Sequence, residues 1–176
     1  MPGLNKRILI PEARIQERIR EIGAQIDADY PEGPICLVCI LKGACFFLTD
    51  LARAITRPAR IDFIGISSYG KGKTSSGEVK LTKDLDTSIE GVDVLVVEDI
   101  VDSGVTLSYL LHVLEQRKPR TLRIAALLDK PEKRIRPVTV SYVGFQIPDE
   151  FVIGYGLDYA EDYRNLRDIC VLDSSA

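Results

Sequence analysis

The stretch that most constrains the fold is residues 92–106, in which an apolar segment is followed directly by acidic and small polar residues. Residues 94–97 are continuously apolar and mostly β-branched, as expected for a strand buried on both faces of a parallel sheet. A helix is predicted shortly afterwards, with an apolar face formed by Leu107, Leu110, Leu111 and Leu114. A buried strand that leads into a helix in this way is typical of an α/β fold.

Small residues, Ser103, Gly104 and Thr106, lie between the predicted strand and the predicted helix. Small residues let backbone N–H groups wrap around an anion, and the dipole of a helix N-terminus attracts the same ligand. In an open α/β sheet this is also the usual place of the ligand crevice. The stretch therefore predicts a phosphate-binding site.

Three carboxylates, Glu98, Asp99 and Asp102, stand just before these small residues. Carboxylates repel phosphate, but they accept hydrogen bonds from ribose hydroxyls and help to hold Mg2+. The combination predicts a site for a phosphorylated ribose. The alternative is an acidic turn without a ligand, which leaves the desolvation cost of three carboxylates at the end of a buried strand unexplained.

Composition bounds the class of protein. A length of 176 residues with 45% hydrophobic content predicts one compact domain over residues 1–176. The formal net charge of −3 argues against a nucleic-acid partner. The apolar runs are too short to cross a bilayer and the N-terminal segment does not read as a secretory signal, so we expect a cytoplasmic protein with no membrane partner.

The cysteines raise the question of a redox or zinc site, because Cys36 and Cys39 have C-x-x-C spacing. Residues three apart on a strand point to opposite faces, which is poor geometry for a shared ligand. Buried free thiols are the favoured interpretation for the cysteines. The single histidine, His112, falls on a predicted helix, which argues against catalysis by a Ser–His or Cys–His pair.

Repeated βα units are predicted along the rest of the chain. Helices are expected over residues 12–29 and 44–55, and strands over residues 35–41, 61–69, 79–85, 121–128, 138–144 and 169–172. This alternation predicts a twisted, mainly parallel sheet flanked by helices, with a small hood formed from segments near the two ends. Lys42 follows a buried strand, a position that favours anion binding over the more usual surface role of lysine.

The segment 70–77 is rich in glycine, lysine and hydroxyl side chains, but it does not match the P-loop pattern. Gly72 stands where the hydroxyl residue should be in one register, and Ser67 replaces the first glycine in the other. A cationic loop that closes over a polyphosphate and an ordinary surface hairpin both remain open.

Five separated segments together resemble the hypoxanthine-guanine phosphoribosyltransferases, the 6-oxopurine branch of the type I phosphoribosyltransferases. They are Leu41-Lys42-Gly43, Ser68-Tyr69, residues 98–106, Asp129-Lys130-Pro131, and residues 151–164. The central segment specifies the superfamily, and the last two specify the branch. The resemblance implies the type I phosphoribosyltransferase fold and an enzyme that uses phosphoribosyl pyrophosphate (PRPP).

The resemblance also implies a role for each side chain at the sugar. Glu98 and Asp99 would bind the ribose hydroxyls, and Asp102 would be the acid/base group at N7 of the purine. Mg2+ would be held by Glu98, Asp99 and Asp158, the last through the coordination shell of the ion. The 5′-phosphate would be held by Ser103, Gly104, Val105 and Thr106.

At the pyrophosphate, the implied binding residues are Leu41, Lys42, Gly43 and Arg164, in a loop where the family often has a cis peptide bond. Ser68 and Tyr69 would lie on the closing loop. At the base, Lys130 would meet the 6-oxo group, Phe151 would stack on the purine and the Val152 backbone would touch its edge. Asp158 would also border the base.

The implied reaction is purine salvage. It transfers the phosphoribosyl group from PRPP to N9 of hypoxanthine or guanine and gives IMP or GMP plus pyrophosphate, with a homodimer or homotetramer as the usual assembly. The alternative is a regulatory protein on the same fold that senses PRPP and binds RNA or protein. A different base, such as xanthine or a pyrimidine, is also open. The net charge and the presence of Lys130, Phe151 and Asp158 favour the enzyme.

Overall fold

The computed structural model describes residues 5–68 and 79–172. Within these ranges the chain forms nine strands, three α-helices and one short 3-10 helix, at Pro131–Lys133. The helices are α1 (Glu12–Asp29), α2 (Cys45–Ala54) and α3 (Val105–Glu115). The strands are β1 (Lys6–Ile10), β2 (Ile35–Leu41), β3 (Ala59–Ser68), β4 (Val79–Lys83), β5 (Asp93–Val101), β6 (Thr121–Asp129), β7 (Tyr142–Gln146), β8 (Val152–Ile153) and β9 (Ile169–Leu172).

The main sheet has six strands in the order β4-β3-β2-β5-β6-β7. Five of them are parallel, and only β4 runs antiparallel to its neighbour β3. Strands β2 and β5 lie at the centre, which explains why residues 35–40 and 93–97 are buried without interruption. The predicted mainly parallel α/β sheet is confirmed.

Helices cover both faces of this sheet. The isoleucines of α1 that share one face, Ile15, Ile19, Ile22 and Ile26, are buried with α2 on one side, and Leu107, Leu110 and Leu114 of α3 are buried on the other. Cys39 packs in the first core and Cys36 in the second, so the two thiols point to opposite faces of β2 as predicted. No helix in the described ranges is long and apolar enough to span a membrane.

A second, antiparallel sheet forms the predicted hood. Its order is β1-β9-β8, so it combines segments from the two ends of the chain. The backbone N–H of Glu12 donates to Asp168 Oδ1 at 2.7 Å, which ties the start of α1 to the approach to β9. That the whole chain forms one domain remains a prediction.

The predicted bounds of β5 and β7 were the furthest from the structure, while those of α2, β3, β4 and β6 differ from it by one or two residues. Strand β5 does not end at residue 97 but continues to Val101, because its pairing with β6 persists through Val101 and Asp129. Strand β7 begins at Tyr142 rather than at residue 138, because the preceding segment packs elsewhere: the N–H groups of Ile135 and Arg136 donate to the Ser103 carbonyl at 2.9 and 3.0 Å.

Candidate active site

The crevice opens where β5 loses one of its two neighbours. Strand β2 pairs with β5 only as far as Cys39 and Val97, whereas β6 accompanies β5 four residues further, to Val101. A cavity of about 260 Å³ occupies this place. It is lined by Ile40, Leu41, Ile66, Glu98, Ile100, Val101, Asp102, Gly104, Thr106 and Leu107. A crevice thus lies at the carboxyl ends of the central strands, where the sequence predicts that a ligand binds.

Glu98 lines this crevice, and Asp99 follows it along β5; both residues are partly buried. Oε2 of Glu98 is buried without a hydrogen-bond partner, and burial, reinforced by the charge of Asp99, raises the pKa of Glu98 well above its ordinary value. Burial also raises the pKa of Asp99, against the hydrogen bond that Oδ1 accepts from the Ile100 N–H at 2.8 Å. An unpaired buried acceptor is costly, so this pair of carboxyl groups suits a hydroxyl donor or a cation.

The loop after β5 is held in a shape that frees amides for an anion. Gly104 has a φ of +75°, and a Cβ atom there would lie 2.5 Å from the Arg136 carbonyl oxygen, so the loop requires glycine. Val105 begins α3, whose first-turn N–H groups have no carbonyl partners within the helix. The glycine turn and the helix start leave amide groups beside Ser103 and Thr106, where the sequence predicts an anion site; that site remains a prediction.

Asp102 is the first residue of this loop, directly after the end of β5. Its side chain is exposed, and its Oδ1 accepts a hydrogen bond from the Ser103 N–H at 2.5 Å. Its carbonyl oxygen accepts from Nη1 of Arg134 at 3.0 Å, while Nη2 of Arg134 donates to Asp129 Oδ1. Sequence reasoning missed Arg134 and Asp129 as supports of this loop. The sequence carries no signal for this pair, because only the fold brings Arg134 against the buried carboxylate of Asp129 at the end of β6.

The loop 41–43 packs tightly between two other parts of the site. The Leu41–Lys42 peptide bond is cis. A Cβ atom on Gly43 would overlap with Oδ2 of Asp99, and a Cβ atom on Gly156 would overlap with the Gly43 carbonyl. The predicted pyrophosphate loop is therefore in direct contact with the predicted ribose site on one side and with the segment before Asp158 on the other.

Arg164 and Lys42 converge on the same acidic side chain. Nη1 of Arg164 donates to the Gly156 carbonyl at 2.7 Å, and Nη2 lies 2.8 Å from Oδ1 of Asp158. Oε2 of Glu161 lies 2.7 Å from Nζ of Lys42 and 3.7 Å from Nη2 of Arg164. Sequence reasoning missed Glu161, because nothing local marks it as the partner of two cations. Lys42 lowers the pKa of Glu161 from its ordinary value.

Lys130 directly follows β6 and is 8% exposed. Its Nζ donates to the Glu150 carbonyl at 2.7 Å and lies 3.4 Å from Oδ1 of Asp149. An ammonium group has three donors, so one remains for a ligand acceptor. Phe151 is 55% exposed and meets Tyr159 edge-on at 5.7 Å between ring centroids. Val152, by contrast, is buried and paired with Val171 in the hood.

A metal ion was predicted at Glu98, Asp99 and Asp158. In the described part of the chain, no group of three or more carboxylate, cysteine or histidine side chains is arranged to hold a metal by itself. Mg2+ usually takes only one or two protein carboxylates and completes its shell with water and phosphate oxygens. The unpartnered Oε2 of Glu98 beside Asp99 meets that requirement, whereas Asp158 is paired with Arg164.

Some predicted residues stand apart from these contacts. Ser68 ends β3, where its backbone pairs with Val79. Tyr69 and segment 70–77 lie outside the described residues, so both interpretations of that loop stay open. His112 is exposed on α3.

A larger cavity, of about 460 Å³, lies at the opposite edge of the sheet, near the starts of β5 and β6. Its arginines are already engaged: Arg120 pairs with Asp93, and Nη1 of Arg123 lies 2.7 Å from Oδ2 of Asp29. Ligands of open α/β sheets bind at the carboxyl ends of the strands. The smaller cavity at Glu98 and Asp102 is therefore the candidate active site.

Comparisons with known proteins identify the family of the chain. The family model of the phosphoribosyl transferase domain matches residues 11–160. The chain is 48% identical over 167 residues to the hypoxanthine-guanine phosphoribosyltransferase of Bacillus subtilis (strain 168), which covers 95% of this chain and 93% of that protein. It is 51% identical over 178 aligned positions to the protein of that name from Mycobacterium tuberculosis (strain ATCC 25618 / H37Rv), with coverages of 98% and 88%.

Solved structures give the same answer. A crystal structure of a hypoxanthine-guanine phosphoribosyltransferase from Bacillus anthracis matches with a TM-score of 0.92 and 46% identity, covering 97% of this chain and 100% of that one. A hypoxanthine phosphoribosyltransferase from Staphylococcus aureus matches with a TM-score of 0.91 and 47% identity, with coverages of 95% and 91%. The chain therefore belongs to the hypoxanthine-guanine phosphoribosyltransferases and is an enzyme of purine salvage with the type I phosphoribosyltransferase fold.

Proposed function

We propose that this enzyme transfers the 5-phosphoribosyl group of PRPP to N9 of hypoxanthine or guanine in a Mg2+-dependent reaction, giving IMP or GMP plus pyrophosphate. The observation that carries the choice of base is Lys130, a buried ammonium group with a donor to spare beside the exposed ring of Phe151. A group that only donates suits a 6-oxo acceptor and opposes the 6-amino group of adenine.

The phosphoribosyl end of PRPP would bind along β5 and the loop after it. The amides of Gly104, Val105 and Thr106 would hold the 5′-phosphate, with the hydroxyls of Ser103 and Thr106 adding donors. Glu98 and Asp99 would accept hydrogen bonds from the ribose hydroxyls. The αL conformation of Gly104 supports this assignment, because it turns the chain into α3 with its amides available.

Mg2+ would be bound at Glu98 and Asp99 together with the ribose and pyrophosphate oxygens of PRPP. When bound, it would neutralise charge that develops on the leaving pyrophosphate. The buried carboxyl pair supports this, because a cation would compensate the burial that now raises the pKa of both groups. Asp158 would act at a distance, through the shell of the ion, while it orients Arg164.

The other charged side chains would act at two different places in the crevice, the leaving pyrophosphate and the purine base. Lys42 and Arg164 would stabilise the pyrophosphate as it leaves the anomeric carbon. Asp102 would sit at N7 of the purine and take the proton of the base while N9 attacks. Its exposed carboxylate and its firmly bonded backbone support this role, because the side chain is accessible while its position is fixed by Arg134.

The test of the proposed base site compares two neighbouring lysines. Lys130→Met removes the charge and keeps most of the volume, and we expect kcat/KM for hypoxanthine and guanine to fall about 10²- to 10³-fold, as for loss of a buried donor to a substrate. Lys133→Met is the matched control, since Lys133 also contacts Asp149, at 2.8 Å, but is exposed. Equal and small effects of both substitutions would contradict the role of Lys130.

Glu161 should restrain binding of pyrophosphate, since its carboxylate competes for both cations. We expect Glu161→Gln to tighten pyrophosphate binding about two- to fivefold, the scale of an exposed ion pair. Titration calorimetry at low and high salt measures this effect, with Asp162→Asn as a control for charge removal in the same turn. Weaker binding in Glu161→Gln would mean that Glu161 orients Lys42 instead.

Membership of the family also supports a proposal for the compartment and the assembly of the enzyme. We expect it to act in the cytoplasm, as a homodimer or homotetramer, on PRPP and a 6-oxopurine. All four cysteines are free thiols, which suits a reducing compartment.

A further inference from the structure

Two cysteines flank the loop 41–43 and approach each other across it. Cys39 lies near the end of β2 and is fully buried, while Cys45 is the first residue of α2 and is partly exposed. Their Sγ atoms are 4.0 Å apart. The turn between them is closed by the Cys45 N–H, which donates to the Lys42 carbonyl at 3.3 Å. The chain therefore places one thiol on each side of the predicted pyrophosphate loop and brings the two thiols close to each other.

This pair differs from the C-x-x-C pair that the sequence suggests. Cys36 points into the core on the opposite face of β2, and Cys170 lies in β9 of the hood sheet. Cys39 and Cys45 meet only because the strand turns back into α2 after Gly43. They are six positions apart along the chain, so neither a redox motif nor strand geometry predicts the contact.

We propose that Cys39 and Cys45 form a site of reversible oxidation, a disulfide that brackets the loop 41–43. A peroxide would oxidise the accessible Cys45 thiol to a sulfenic acid and leave as water. The Cys39 thiol would then attack the Cys45 sulfur, and the sulfenic hydroxyl would leave with the Cys39 proton as a second water. A small dithiol reverses the reaction by thiol–disulfide exchange: the two protein thiols are restored, and the dithiol is oxidised to its own disulfide.

The order of the two steps follows from burial. Cys39 is fully buried beside the Cys45 thiol and is therefore shielded from a solute oxidant. Cys45 is the member of the pair that a peroxide can reach. Cys39 is already in van der Waals contact and serves as the resolving thiol without leaving the core.

Closing the bond would disturb the loop between the two cysteines. A disulfide requires the sulfurs to approach to about 2.05 Å, so Cys45 and the first turn of α2 must move inward toward the buried Cys39. The loop has little freedom to adapt, because Gly43 is packed against Asp99 on one side and Gly156 on the other. The effect on turnover rests on the proposed function, in which this loop holds pyrophosphate; formation of the disulfide does not.

The experiment treats the full-length enzyme with a small excess of hydrogen peroxide and follows two independent readouts. Thiol titration in denaturant, with peptide mass mapping, is expected to show loss of two of the four thiols and one linked peptide pair, Cys39 with Cys45. kcat/KM for PRPP is expected to fall about tenfold to a hundredfold, the scale of a misplaced binding loop, and to return after dithiothreitol.

Variants separate this site from general oxidation. Cys45→Ala should keep its three thiols and its own untreated rate under the same peroxide exposure, and Cys45→Ser provides a second test if the alanine variant folds poorly. Cys170→Ser should still lose two thiols. A Cys45 that ends as sulfinic acid, a disulfide to Cys36 or to a second chain, or equal inactivation of Cys45→Ala would overturn the proposal. Peptide mapping does not depend on turnover, so an enzyme inactive before treatment would contradict the proposed function alone.

Discussion

Asp102→Asn is expected to lower kcat for hypoxanthine and guanine about 10²- to 10⁴-fold, the usual contribution of a positioned acid/base group. Asparagine has nearly the same shape, and its side-chain oxygen can still accept the hydrogen bond from the Ser103 N–H. The carbonyl contact with Arg134 involves only the backbone and is also kept. What is lost is the ability to hold the proton of the base. Pre-steady-state and steady-state assays measure the fall in kcat.

PRPP binding is the control in the same variant. The Kd for PRPP, measured by calorimetry in the presence of Mg2+, should change little, because the amides of Gly104, Val105 and Thr106 are untouched. Asp162→Asn provides the matched carboxylate change in an exposed turn. Unchanged turnover in Asp102→Asn would refute the acid/base role. A large loss of PRPP affinity would assign Asp102 to binding instead.

Gly43→Ala is expected to reduce kcat/KM for PRPP about 10²-fold or more and to destabilise the fold by about 1–3 kcal/mol, as overpacking does. The added Cβ overlaps with Oδ2 of Asp99, and Asp99 cannot retreat easily, since its Oδ1 is bonded to the Ile100 N–H. Thermal unfolding and steady-state kinetics report the two effects separately.

A second substitution distinguishes crowding against Asp99 from an unrelated loss of stability in Gly43→Ala. In Gly43→Ala/Asp99→Ala the overlapping oxygen is removed, so the melting temperature should recover toward that of Asp99→Ala alone. Turnover should stay low, because the double variant lacks one of the two predicted ribose and Mg2+ carboxylates. Additive destabilisation by the two substitutions would show that Gly43 and Asp99 are not packed against each other.

The parts of the fold that depend on local patterns are predictable from the sequence. Helix α1 and strand β2 have the predicted bounds, residues 12–29 and 35–41, because the isoleucine stripe and the apolar run each report burial within one element. The end of β5 was not predictable in this way. Its acidic residues resemble a loop in composition, but pairing with β6 keeps them in a strand up to Val101.

Contacts between distant segments account for most of what the sequence could not predict at the site. Arg134 supports Asp102 across 32 positions of the chain, and Glu161 meets Lys42 across 119. Each of these side chains looks like an ordinary surface charge in the sequence. The Cys39–Cys45 contact is shorter in sequence, yet it needs the turn at Gly43 to form. Residue identities led to the proposal of which groups carry the chemistry, while the tertiary fold determines which groups contact them.

The central claim is the transfer of phosphoribosyl to a 6-oxopurine selected by Lys130. The measurement that tests it most directly is nucleotide formation from PRPP and Mg2+ with hypoxanthine, guanine, xanthine, adenine and uracil assayed in parallel, with each product identified by mass. We expect turnover of hypoxanthine or guanine and none of adenine, and no nucleotide after Mg2+ is removed by a chelator. Nucleotide formation from adenine would contradict this account. So would a failure to form nucleotide from any of the bases while PRPP still binds.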